Sequence, residues 1–251
     1  MREMRLCMAS VGSRVGEFDR NLDTIKRVST EAASKDADLV CFPELSLSGY
    51  AMPSSYDQAV TEDDPHISAV IDISADLDIA ICFGYVDDKH RITQAIAEGG
   101  RIVGSYSKTH LGEREVGSIC WEAHFPEIAG TYALKGADII LMPFASGLGG
   151  ERRQSSWDRF LPARAYDNTV FVGACNAFGD NGFGTDLGGG AAAYDVRGFL
   201  MGSATGECTL TVDLDPSQMD RIRRGHYESM RDVYFLDKRR PELYSRLSEK
   251  L

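Results

Sequence analysis

Ala37-Asp38-Leu39-Val40-Cys41-Phe42-Pro43-Glu44 is an apolar run that stops at a proline and an acid. A short continuous apolar segment bounded by a breaker reads as a buried strand. Proline has no N–H for a ladder, so the strand stops at Pro43 and Glu44 stands at its C-terminal mouth. The run returns one hundred residues on as Ala137-Asp138-Ile139-Ile140-Leu141-Met142-Pro143. Each copy follows a helix-like segment: Leu22, Ile25, Val28 and Ala32 recur at helical spacing within 19–35, and Phe125-Pro126-Glu127 opens an amphipathic stretch, Ile128 to Lys135. A second echo joins Ala95–Ser105, with its Gly99-Gly100 turn, to Ala193–Ser203 around Arg197-Gly198. Two echoes at nearly equal offset predict an α/β fold of two similar halves. The expected arrangement is two packed sheets with helices outside, related by approximate internal symmetry.

Working outward, strands are expected at 5–9, 78–84, 92–97, 101–107, 169–175 and 208–214. Asp64-Pro65 is an N-cap followed by proline at the first helical position. The helix expected over 151–168 carries Pro162, which should kink it or divide it in two. Pro216 opens a short helix. Residues 146–153 and 178–188 read as loops. No linker or low-complexity segment interrupts the chain, so one domain is expected over 1–251, with a charged, aromatic tail from about residue 227 in position for a dimer contact.

Composition narrows the function. With 38 acidic against 27 basic residues the net charge is −11, which argues against nucleic acid or an anionic membrane as the main partner. No apolar run is long enough to span a bilayer, and the start lacks the apolar core of a signal peptide. The six cysteines (7, 41, 82, 120, 175, 208) have no CxxC spacing, and four of them sit in strand-like runs. That usage fits reduced thiols in a cytoplasmic protein. The five histidines show no ligand spacing, so no metal site is expected.

The chemistry gathers around Gly117-Ser118-Ile119-Cys120-Trp121-Glu122-Ala123-His124-Phe125-Pro126-Glu127. An apolar run ending at a cysteine before a helix reads as a strand, an elbow and a helix start. A nucleophile at such an elbow meets N–H groups and a helix dipole that favour a thiolate. Cys120 reads equally as a buried strand cysteine. Glu44 and Lys108 also stand at strand ends. Singly they read as surface charges; together with Cys120 they suit acyl transfer. A sheltered carboxylate can take the thiol proton, and an ammonium can lower the thiol pKa and hold an oxyanion.

The ordered motifs Phe42-Pro43-Glu44 with Gly49-Tyr50, Tyr106-Ser107-Lys108-Thr109-His110-Leu111, and Ile119-Cys120-Trp121-Glu122 with Phe125-Pro126-Glu127 strongly resemble the nitrilase superfamily of carbon–nitrogen hydrolases. Further matches are Gly136-Ala137-Asp138 to Pro143, Arg164-Ala165 with Asn168, and Arg239-Arg240-Pro241-Glu242-Leu243-Tyr244. The resemblance implies an αββα four-layer sandwich with two mixed sheets, usually a homodimer. It implies Cys120 as nucleophile, Glu44 as general base and Lys108 as oxyanion stabiliser beside the backbone N–H of Trp121. It also implies no cofactor. Tyr50, Trp121 and His124 are the expected substrate contacts. Phe-Pro-Glu and Lys-Thr-His-Leu resemble the amidase branches, so a small amide, ω-amide or N-carbamoyl substrate is expected. Cys-Trp-Glu keeps a nitrile hydrolase as the alternative, with a non-catalytic relative as a further one. A metal phosphoesterase on the same layered fold lacks its His/Asp clusters here. Arg152 and Arg153 read first as a solvated helix start and second as a grip for a substrate carboxylate.

One departure stands out. Lys108 and Cys120 are 12 residues apart, where the family has a longer segment with a second glutamate, a turn and a strand pair. That glutamate should be Glu115, with Glu113 in reserve, although both also read as solvated loop acids. The abrupt join of Val116 to Gly117 reads as a lost segment, either deleted from the protein or missing from this sequence.

Overall fold

Alternate residues of the first strand part company. Leu6 and Met8 face a second sheet, whereas Cys7 and Ala9 face helices. This period of two, with both faces apolar, is what a strand buried on both sides requires. The computed structural model describes residues 1–109, 119–225 and 233–249, without the side chains of Ile119, Cys120 and Ser248. The chain runs β1 (Met4–Ser10), α1 (Phe18–Ala33), β2 (Leu39–Cys41), α2 (Pro65–Leu77), β3 (Ala80–Val86), β4 (Ile92–Glu98) and β5 (Arg101–Ser107). It continues with α3 (Ile119–Glu122), α4 (Pro126–Leu134), β6 (Ile139–Phe144), α5 (Gly150–Trp157), α6 (Leu161–Asn168) and β7 (Phe171–Asn176). Then come β8 (Phe178–Asp180), β9 (Asp186–Gly188), β10 (Ala191–Tyr194), β11 (Leu200–Ala204), β12 (Cys208–Leu214) and α7 (Ser217–Arg223).

One sheet has the order β12-β1-β2-β3-β4-β5 and the other β11-β10-β7-β6. Both are mixed. In the first, β2 and β3 are parallel and β4 and β5 follow antiparallel. In the second, β6 and β7 are parallel and β10 and β11 follow antiparallel. The two halves therefore repeat one plan, as the echoes predict. Between the sheets lie Leu6, Met8, Leu39, Cys41 and Cys82 from one side and Phe171, Cys175, Ala191 and Ala193 from the other. The outer face of the first sheet packs on α1 and α2 through Ile25, Val28, Ile67 and Val70. That of the second packs on α4 to α6 through Ala129, Trp157, Leu161 and Ala165. The result is an αββα sandwich. The sheets approach so closely at Gly173 that a Cβ there would stand 2.7 Å from Met8 Sδ.

Several boundaries follow the expected chemistry. Asp64 caps α2, its carboxylate accepting from His66 N–H at 2.8 Å. Pro162 falls in the first turn of α6, so the 151–168 segment is divided. Pro143 sits inside β6, which is tolerable because β6 is the edge of its sheet. Two expectations fail. Ile119 and Cys120 are helical, in the single turn α3, and are not the end of a strand. The 178–188 stretch is not all loop, since β8 and β9 pair antiparallel within it. Glu113, Glu115, His110 and the Val116–Gly117 join lie outside the described residues. No helix among the described residues is long and apolar enough to cross a membrane.

Candidate active site

Past β2 the chain is pinned to β3 before it turns. Phe42 N–H donates to Cys82 O at 2.8 Å and Leu47 N–H to Gly84 O at 2.8 Å, while Gly84 N–H donates to Ser46 Oγ at 3.1 Å. Between these anchors Leu45 takes a φ of 51°, in the left-handed region that L-residues usually avoid, and is fully buried. Only glycine fits at position 84, because a Cβ would lie 2.5 Å from Leu45 N. Opposite Gly84 on β4, Gln94 donates through Nε2 to Phe42 O at 3.2 Å. These contacts hold Glu44, whose side chain is wholly buried.

Lys108 arrives from the far end of the same sheet, one residue past β5, where its N–H donates to Ile92 O at 2.9 Å. Its Nζ lies 3.9 Å from Glu44 Oε1, and the two side chains are 1% and 0% exposed. Taking two charges out of water costs several kcal/mol per ion before their attraction offsets it. Such a pair is weak evidence of a stability role and better evidence of a chemical one. Burial and then the charge of Glu44 push the Tyr56 phenol upward, so Tyr56 lies within the field of that carboxylate.

Cys120 lies on α3, and its side chain is outside the described part. The surroundings of α3 are well defined. Glu122 is buried, and its Oε1 accepts from Tyr106 OH at 2.7 Å, Thr109 N–H at 2.8 Å and Thr109 Oγ1 at 2.8 Å. Arg164 of α6 donates through Nε to Ala123 O and through Nη2 to His124 O, both at 3.0 Å. The end of β5, α3 and α6 are thereby tied together. Trp121 is 47% exposed, its ring 5.6 Å from that of His124, which lies 4.4 Å from Phe160. Desolvation of the packed imidazole, then the charges of Arg164 and Arg153, push the His124 pKa below its ordinary value. Tyr50 is buried beside Leu45 in a small cluster under the loops. Arg152 is exposed, whereas Arg153 is buried, donates to Ser146 Oγ and to Leu148 O, and lies 5.3 Å from the Phe144 and Trp157 rings. Both arginines lie near the start of α5, so the solvated reading fits Arg152 but not the buried Arg153.

A cavity of about 540 Å³ opens between β4–β5 and β6–α4. Gln94, Tyr106 and Glu122 border it; Glu44 and Lys108 are not among its described lining residues. Sequence reasoning gave no role to Glu122, Tyr106, Thr109, Gln94 or Gly84. Glu122, Tyr106 and Thr109 left a trace only as members of the Cys-Trp-Glu and Tyr-Ser-Lys-Thr-His-Leu motifs.

With this geometry in view, the comparisons decide the family. The carbon–nitrogen hydrolase family model matches residues 6–224. The chain belongs to the carbon–nitrogen hydrolase family. It is similar to a hydrolase of Pseudomonas protegens, with 29% identity over 100% of this chain and 94% of that one. It is also similar to the chloroplastic omega-amidase of Arabidopsis thaliana, with 26% identity over 92% of this chain and 75% of that one. An amidase of the nitrilase superfamily from Nesterenkonia superposes with a TM-score of 0.81 and 26% identity, covering 97% of each chain. A glutamate-to-glutamine variant of that amidase carries the acetamide moiety of fluoroacetamide covalently at its active-site cysteine. The Pseudomonas alignment runs over 279 positions against the 251 residues of this chain, so about 28 positions of that relative have no counterpart here.

Proposed function

We propose that this carbon–nitrogen hydrolase cleaves a small non-peptide amide, an ω-amide or an N-carbamoyl compound, through a thioester on Cys120. Glu44 takes the proton from Cys120 Sγ, and the sulfur forms a bond to the amide carbon as the carbonyl electron pair moves to oxygen. Lys108 and the N–H of Trp121 stabilise that oxyanion; N–H groups of a first helical turn point back along the axis toward the preceding chain. The oxyanion collapses, the C–N bond breaks, and Glu44 returns its proton to the leaving amine. Water gives a proton to Glu44 and attacks the thioester, releasing the acid and restoring the thiol. The observation that carries the reading is the buried Glu44–Lys108 pair at 3.9 Å, held by strand ends of one sheet in a chain of this family.

The test is ammonia or amine release across short aliphatic amides, ω-amides, carbamoyl amino acids and nitriles. Turnover confined to nitriles would replace the amidase reading with the nitrilase one. Cys120→Ala is expected to abolish turnover; measurable hydrolysis by that variant would remove the covalent mechanism.

A further inference from the structure

Glu122 contacts the segment that carries Lys108. Three donors to its Oε1 come from Tyr106 and Thr109, which bracket Lys108 in the chain. Lys108 N–H is meanwhile fixed on β4 through Ile92 O. The backbone at Lys108 is therefore held from the sheet on one side and from Glu122 on the other. Glu122 is also two residues after Cys120, on the same helical turn. A single turn has almost no stability of its own, so tertiary contacts must set where α3 sits. Burying a carboxylate is costly unless hydrogen bonds replace water, and bonds to an ionised acceptor are short and strong. Three donors between 2.7 and 2.8 Å from one oxygen answer that need. The phenol among them is held in turn, since the Tyr106 ring packs edge-on against Tyr132 of α4 at 5.6 Å.

We infer that Glu122 is a positioning residue that sets Lys108 against Cys120 by tying the end of β5 to α3. The inference rests on the proposed roles of Lys108 and Cys120 and adds the part that fixes their spacing. Glu122 touches no reacting atom in this scheme. Its loss should lower kcat with little change in KM, because substrate binds as before but meets a displaced ammonium.

The experiment compares wild type with Glu122→Gln and with the double variant Tyr106→Phe/Thr109→Val, which leaves Glu122 intact and removes two of its donors. Steady-state kinetics and thermal melting are run together. The pH dependence of Cys120 alkylation by iodoacetamide is followed by peptide mass spectrometry. For Glu122→Gln, kcat should fall by about a hundredfold, the scale of a 1 Å misplacement. KM should change little, and the alkylation midpoint should move to higher pH as the ammonium withdraws from the thiol. The double variant should shift kcat and the midpoint in the same directions. A lower melting temperature with wild-type kcat and an unshifted midpoint, in a protein whose Cys120→Ala variant is inactive, would make Glu122 purely structural and overturn the inference alone. An active Cys120→Ala variant would overturn both the inference and the mechanism beneath it.

Discussion

The two halves of the molecule share a plan and differ in chemistry. In the first half, the residue after the strand-ending proline is Glu44; at the matching place in the second half it is Phe144. Both are buried, at 0% and 1% exposure. Glu44 lies against an ammonium, whereas Phe144 packs on Trp157 with ring centroids 5.3 Å apart. The second echo behaves likewise, since extending Ala95–Ser105 and Ala193–Ser203 by the same number of residues sets Lys108 against Gly206. One strand mouth thus hosts a buried ion pair and its counterpart hosts core. A repeated fold supplies two equivalent mouths, and only the side chains decide which becomes a reaction site.

That contrast can be tested by exchanging what each mouth is asked to do. The largest effect is expected from Glu44→Gln, which keeps shape and removes the proposed proton shuttle. Turnover should fall by about 10²- to 10⁴-fold, read as kcat on the best amide, with the fold retained in circular dichroism. Phe144→Ala should show the reverse balance, losing about 3–5 kcal/mol of stability in urea titration. Equal damage to activity from both substitutions, without loss of folded protein, would erase the distinction between the halves.

The helix layers give smaller effects. Asp64→Ala removes the cap of α2 in the first half and should cost about 1 kcal/mol, measured by the denaturation midpoint. In the second half the effect should come from His124. Its folded pKa is depressed, so the unfolded chain takes up the proton first as pH falls. His124 therefore favours the folded state above the unfolded pKa of about 6.5 and ceases to do so as pH falls toward the folded value. Between about pH 7.5 and pH 5.5 wild type should lose slightly more stability than His124→Gln. A larger loss in the variant would reverse the sign.

Much of this was legible in the chain because strand ends announce themselves. Pro43 lies just past the end of β2 and Pro143 is the last residue but one of β6, and both echoed hairpins appear as β4–β5 and β10–β11. The turn at Ile119 and Cys120 was not legible, because a two-residue apolar step has no period to separate strand from helix. What shapes it are distant partners, the donors at Tyr106 and Thr109 and the guanidinium of Arg164. Glu122 was hidden for the same reason. It is one of 38 acids, and burial of a charge depends on groups that sequence spacing does not reveal. The β8–β9 ribbon was missed because Phe178–Asp180 and Asp186–Gly188 are three residues each, too short to alternate visibly.

The backbone twist at Leu45 has a consequence for the acid beside it. An L-residue in that region gives up roughly 1–2 kcal/mol against right-handed geometry, and here the isobutyl group is sunk among Tyr50, Val86, Ile92 and Leu187. Swinging the carboxylate of residue 44 outward would drag this greasy plug from its socket. The carboxylate proposed to carry the proton is therefore clamped by an oily neighbour that takes no part in the proposed reaction.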